Sequence, residues 1–454
     1  MAITIQQQPT SPNMANADLL YVVTSPSSSR PQYQFVCDIK DEDDNLIQRI
    51  KQQPNPSDKG VFNIGQICLT QLDVDESWTT SVIYSVTQSA KEFQVKFGEE
   101  FASASFSNTV LYDGITTATS GSPSVSGSNY YYNINGLVEP NSGDWNFASS
   151  SYYNEITVPV SVTGSSNVGL TLSPKTLDVQ SADYHTISLI NGNANGIDTG
   201  ATAQDVYMMR VQAYDGLNGT GTLLDTLDVF NITSEGGGPR TSDANAWGSA
   251  AQSGSTRFQY WGVGPQNLAD YTGSFMPAGW QSYTVSWYPQ EFSSQANENY
   301  PLDQFTFNLQ TGDCSYTTAR FAWKNTLGAW DYYNFTLAES DEDVVERIDY
   351  KQTFIPFSTT SNSAEYNISR RGKKGLLNKV ITNKTANSDW LTQTEADWLE
   401  ELFLSSEVYI QSGTSFEPVV LTDTNIIHKR NPRTQKNFQY QVSYQLANAK
   451  RQRQ

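Results

Sequence analysis

Residues 319–335, Ala-Arg-Phe-Ala-Trp-Lys-Asn-Thr-Leu-Gly-Ala-Trp-Asp-Tyr-Tyr-Asn-Phe, spell out a strand, a tight turn and a second strand. Phe321 and Trp323 stand at period two, and Asn325 to Gly328 supply the reversal. Trp330, Tyr332 and Tyr333 then resume an aromatic run. A hairpin this aromatic brings much packing surface and little chemistry. It holds no His or Cys, and Asp331 has no second carboxylate beside it. The pattern recurs along the chain and constrains the fold to antiparallel strands packed through aromatic faces.

Period-two segments run from end to end. They include Leu19–Thr24, Gln32–Ile39, Leu46–Lys51, Gly60–Ile64, Ser81–Thr87 and Glu92–Phe97, then Val168–Leu172, His185–Ile190, Asp205–Tyr214 and Leu223–Ile232. Ser/Gly/Asn/Pro clusters separate them. Aromatic residues make up 12% of the chain and charged residues only 17%, a balance that fits strands with polar turns rather than a helical enzyme. Thr392-Gln-Thr-Glu395 reads as a capping box, with Trp398, Leu399, Leu402 and Phe403 following at helical spacing, so one amphipathic helix is expected near 393–405. The expected fold is all-β dominated. It comprises several β-sandwich (jelly-roll or Ig-like) domains and a C-terminal α+β unit carrying the one short helix. Composition shifts divide 454 residues into an N-terminal sandwich over 1–106, a Ser/Gly/Tyr-rich loop region with a second β domain over 107–235, an aromatic-rich β domain over 236–345, and a strand–helix–strand assembly module over 346–454.

The net charge of −19 is unevenly spread. From Lys351 onward 14 Lys or Arg face 9 Asp or Glu, whereas the first 350 residues carry 14 basic and 38 acidic residues. An acidic body with a basic end suits head-to-tail contacts between copies, and it disfavours nucleic acid as the main partner. Three cysteines, Cys37, Cys68 and Cys314, make no disulfide framework and no zinc spacing. The N-terminus lacks a basic segment followed by an apolar one, and no apolar run reaches membrane-spanning length. Synthesis in a cytoplasm is expected, without a signal peptide or a membrane span.

Chemistry is sparse. His185 and His428 stand in no triad or metal spacing, and neither a nucleophile elbow nor a phosphate loop is present. Asp41–Asn45 opens like a calcium loop but has Leu46 where the turn glycine belongs. Asn191–Gly196 has the glycine but lacks the closing Glu. Both read as turns, and Asp341–Asp343 with Glu346 reads as a solvated helix start or loop. Nothing singles out a carboxylate pair among the 47 acids, so no catalytic residue, metal or cofactor is expected. Trp323, Trp330, Tyr332 and Tyr333, with Trp398 and Leu402 on the helix, are the candidate core or interface anchors. Tyr130, Tyr131, Tyr132, Trp280 and Trp287 are candidate stacking platforms for a host surface glycan.

Three stretches carry a family resemblance. They are the opening plan from Ala17 through Gln34-Phe-Val-Cys-Asp-Ile39 to Gly60–Gly65, the N-x-x-G-x-x-D-x-x-x-F element over Asn325–Phe335, and the C-terminal series Trp398–Leu402, Ser405–Ile410, Pro418–Asp423. Together they resemble structural proteins of tailed bacteriophages over about a third of the chain, at both ends. The resemblance implies a virion component of the tail, baseplate or neck that acts by assembling with copies of itself and other virion proteins, without catalysis. The alternatives are a glycan- or receptor-binding module for host attachment and, behind it, a polysaccharide depolymerase.

Overall fold

The computed structural model describes residues 3–9, 13–41, 43–76, 78–79, 83–85, 88–102, 108–111, 130–134, 136, 169–190, 206–231, 246–247, 258–271, 275–291, 295–296, 301–310, 317–337, 339–351, 355, 357–364, 372–423 and 439–447. Among them are 28 strands and three helices, so the fold is strand-dominated, with several sheets. The chain divides into two compact units. One comprises Met1–Gln310 with Lys324–Asp331, the other Thr311–Trp323 with Tyr332–Gln454.

The first unit holds two sandwich-like cores. In one, a three-stranded sheet (Thr4–Gln7, Leu20–Thr24, Lys59–Asn63) accompanies a larger sheet centred on Gln34–Lys40 and Ala90–Ala102. Alternation directs Tyr21, Phe35, Phe62 and Phe97 into a shared apolar cluster. Tyr21 and Phe62 approach Phe97 at 5.2 and 5.7 Å between ring centres. Cys37 and Cys68 lie in the same cluster as buried thiols outside any disulfide, and burial pushes the Cys37 thiol up. Glu99 is buried among these strands and accepts hydrogen bonds from Ser25 Oγ (2.8 Å) and Tyr33 Oη (3.0 Å).

The second core forms around the strands Val206–Tyr214, Ser282–Glu291 and Asp303–Leu309 of one sheet and Thr186–Ile190 with Phe258–Gly262 of another. Tyr283 stacks on Phe307 at 4.9 Å, and Trp287 meets Trp261 and Phe305 edge-on. Pairing crosses the domain boundaries that composition suggests. Ile83–Ser85 pairs with Phe258–Gly262, and Thr176–Val179 runs parallel to Asp303–Leu309. Composition marks where the chain loops. It carries no record of which strand returns to which.

The second unit is built on a seven-stranded sheet ordered Trp330–Phe335, Ala319–Lys324, Val408–Ser412, Ser415–Leu421, Gln441–Leu446, Lys373–Asn387, Ser340–Lys351, with the helix Gln393–Leu404. Thr392 caps this helix. Its Oγ1 accepts from Glu395 N (3.4 Å), and the Glu395 carboxylate accepts from Thr392 N (2.7 Å), the reciprocal pair that the Thr-x-x-Glu spacing predicts. Val442 and Tyr444 alternate with more exposed neighbours and are fully buried.

Buried tyrosines in both units tie stability to alkaline pH. Burial, with donation to Asp270, pushes Tyr184 up to about 12; burial, with Glu400 nearby, does the same to Tyr440. Tyr21, Tyr33 and Tyr444 are raised further, chiefly by burial. Each phenol holds its proton more tightly folded than unfolded. Its stabilising contribution is therefore complete below the unfolded value of about 10 and lost as pH climbs through the folded one. Absorbance titration is expected to show these five ionising only together with loss of near-UV circular dichroism. Full ionisation near pH 10 with the fold intact would contradict their burial.

Candidate functional site

The aromatic hairpin forms as its sequence predicts, with strands Ala319–Lys324 and Trp330–Phe335 adjacent in the sheet. Its stem supplies the second unit's core. Phe321 contacts Phe335 and Tyr444 edge-on at 5.1 and 5.0 Å, and Trp323 meets Trp398 of the helix at 5.3 Å. Tyr333, half-buried, meets Trp398 at 6.1 Å and Phe335 at 5.0 Å. On the alternate register Tyr332 lies under the guanidinium of Arg320 at 5.3 Å and near Phe416. Arg320, itself buried, donates to Asn334 Oδ1 at 2.9 Å. Trp323, Tyr332, Trp398 and Leu402 are each no more than 3% exposed, so within this chain they are packing residues.

The tip, Lys324–Asp331, belongs to the first unit, where Asn325 organises it. Asn325 Oδ1 accepts from Leu327 N (3.1 Å) and Ala329 N (2.9 Å), while its Nδ2 donates to Leu170 O (2.8 Å). Gly328 closes the reversal at φ +82°, a left-handed conformation that a side chain would strain. Trp330 then packs edge-on against Trp78 at 5.1 Å and donates from Nε1 to Asp75 O at 3.1 Å. The turn residues thus serve a long-range anchor as well as a chain reversal.

The candidate glycan platforms fare differently. Trp287 is fully buried and Trp280 is 8% exposed against Tyr283, so neither offers a ring face to a sugar. As aromatic residues they are candidate stacking platforms in the sequence, but both rings are consumed by the second core. Tyr130, Tyr131 and Tyr132 lie in a strand opposite Gln94, Phe93 and Glu92, and their side chains fall outside the described part.

Among the described residues no candidate centre assembles around the polar side chains either. His185 is buried, its ring edge-on to Phe307 at 5.1 Å, and its backbone N donates to Asn267 Oδ1 at 2.8 Å. His428 and Asn191–Gly196 lie outside the described residues. Asp41 and Asn45 close a turn whose Asp44 carboxylate is paired with Lys40 (3.0 Å) and Lys96 (2.6 Å). The Asp41 carboxylate accepts from Asn45 Nδ2 and from the backbone N of Asp43 and Asn45, which holds it below the usual carboxylate range. Among the described residues no cluster of three or more His, Cys, Asp or Glu is arranged for a metal, and no helix is long and apolar enough to cross a membrane.

What the sequence reading missed is a ribbon. Asp341–Asp343 and Glu346, expected as a helix start or loop, belong to the strand Ser340–Lys351, paired antiparallel along its length with Lys373–Asn387. Acidic residues disguise the strand, while Val344, Val345, Ile348 and Tyr350 on one side and Val380-Ile381-Thr382 on the other carry its β-propensity. Lys384 Nζ lies 3.0 Å from Asp341 and 3.2 Å from Glu339. Partial burial lowers its pKa, but these two carboxylates prevail and hold it above the ordinary lysine value. All twelve residues of Ser340–Lys351 are exposed. No known protein family matches any part of the chain, and no curated protein is significantly similar to it.

Proposed function

We infer that the chain is a structural protein of a tailed-phage particle, placed in the tail, baseplate or neck, that works by assembling with copies of itself and with other virion proteins rather than by catalysis. One observation carries the assembly part of this reading. Of sixteen large apolar side chains exposed among the described residues, seven (Val344, Val345, Ile348, Tyr350, Ile355, Phe357 and Leu376) fall within residues 344–376. Singly scattered exposed apolar residues need no explanation, but a concentration within one stretch of chain, four of the seven on Ser340–Lys351, marks an interaction surface. The virion part rests on the resemblance of the chain's two ends to tailed-phage structural proteins and on the polar, aromatic, strand-rich composition.

The test is the solution mass by light scattering across protein concentration and salt. A discrete oligomer that loosens with salt supports the reading, and a monomer under every condition counts against self-assembly. The basic C-terminal residues enter the same experiment. Deleting Lys450–Gln454 removes three positive charges and is expected to weaken an oligomer whose register depends on an acidic body meeting a basic end. An unchanged mass profile for the truncated chain would exclude that role for the tail.

A further inference from the structure

The ribbon of Ser340–Lys351 and Lys373–Asn387 combines three properties that together select a partner. First, it is two strands thick over most of its length. Among the described residues only Lys384–Asn387 pairs onward as strand, with Gln441–Tyr444, and Gln445 donates to Asn383 Oδ1 at 2.7 Å; beyond that the described strand pairing of the inner strand is with the acidic strand. A two-stranded ribbon with both faces in water is marginal alone.

Second, both faces carry exposed apolar residues. Val344 (40% exposed) and Ile348 (53%) share one face with Ile381, which stands opposite Val344. Val345 (43%) and its opposite number Val380 form the other.

Third, the ribbon is electrically polar from side to side. The outer strand carries five acids (Asp341, Glu342, Asp343, Glu346, Asp349) against Arg347 and Lys351. The inner strand carries Lys373, Lys374, Lys379 and Lys384 and no acid.

These properties decide between ways of covering the ribbon. Edge-to-edge pairing of two outer strands would set two acidic rows side by side, the arrangement by which natural edges are kept apart. Face-to-face stacking across a two-fold axis perpendicular to the strands would lay acid over acid. A two-fold axis running along the strands exchanges left and right, so the acidic strand of one copy covers the basic strand of the other. In that arrangement Val344 lies over Ile381 of the second copy, and strand position 346, a glutamate, over position 379 of the second copy, a lysine. Apolar positions 344 and 348 meet apolar positions 381 and 377, and the opposite charges of positions 346 and 379 meet between them.

We propose that the Val344/Ile348/Ile381 face of this ribbon is a self-association surface, and that a second copy of the chain occupies it by stacking ribbon on ribbon about a two-fold axis parallel to the strands. The inference rests on the assembly reading and specifies its contact. Two strands of this length cover about 40 by 10 Å, or roughly 800 Å² over both copies, which is the size of a weak, transient interface. The contact alone is therefore a weak one, reinforced when other contacts hold the copies together.

Sedimentation of the full chain from low to high micromolar concentration tests the surface, comparing wild type with Val344→Lys/Ile348→Lys. Both positions are exposed, so thermal midpoint and circular dichroism are expected to stay at wild-type values while self-association weakens at least about tenfold. A second measurement tests the geometry in a Cys314→Ser background. A chain with Val344→Cys, mixed with a chain with Ile381→Cys, is expected to cross-link through a short bis-maleimide several-fold more than either variant alone. An oligomeric wild type whose mass survives the double lysine variant would overturn the ribbon contact and leave assembly through another surface standing. Cross-linking no greater in the mixture than in the separate variants would overturn the stacking. A wild type monomeric over the whole range would remove both the contact and the self-assembly reading.

Discussion

Trp398→Ala is expected to destabilise the second unit by about 3–5 kcal/mol, the cost of removing a large buried aromatic from a packed core. Trp398 is 3% exposed and contacts rings from both strands of the hairpin stem, Trp323 and Tyr333. No neighbour can collapse into the space, because Leu399 and Leu402 on the same helix are already fully buried. Denaturant titration followed by near-UV circular dichroism reads the effect. Trp398→Phe retains part of the ring contact and is expected to lose about half as much. A loss under about 1 kcal/mol for the alanine variant would mean that the helix does not seat on the hairpin.

Asn325→Ala is expected to cost about 2–4 kcal/mol in the first unit. It deletes three side-chain hydrogen bonds at a site only 3% exposed, each contributing about 1 kcal/mol, and leaves polar backbone behind. Asn325→Asp separates the two jobs of the residue. An aspartate still accepts from Leu327 N and Ala329 N, but it cannot donate to Leu170 O and brings a buried charge. Both variants are expected to lower the unfolding midpoint of the first unit. Wild-type stability for Asn325→Ala would show that the turn holds without its side-chain anchor.

How much was legible follows from where the information resides. The capping box fixed the helix to within a residue, since Thr392 and Glu395 act locally and Trp398 to Phe403 repeat at one period. The hairpin was equally plain, because Asn325 and Gly328 define their reversal within four residues. The ribbon was not. Its outer strand buries neither face, so the alternation that betrays a half-buried strand is missing, and acids crowd positions where a helix start would also place them. The fate of Trp280 and Trp287 was hidden for the opposite reason. An aromatic strand reads the same whether its rings meet a sugar or another sheet, and only the pairing of distant strands decides. The short helix Pro265–Asp270 escaped too, being under two turns and lacking a side-chain cap.

The membership of Lys324–Asp331 in the first unit has a consequence for the order in which the chain is made. Trp330 reaches Asp75 across 255 positions and Asn325 reaches Leu170 across 155, so a nascent chain of 310 residues has emerged with the places of both side chains still open. The first unit cannot close behind the ribosome as an N-terminal domain ordinarily does; it must wait for a stretch of eight residues delivered after the second unit has begun. A protease cut between Gln310 and Thr311 would likewise leave the first unit unfinished, because the C-terminal fragment would carry away its residues Lys324–Asp331.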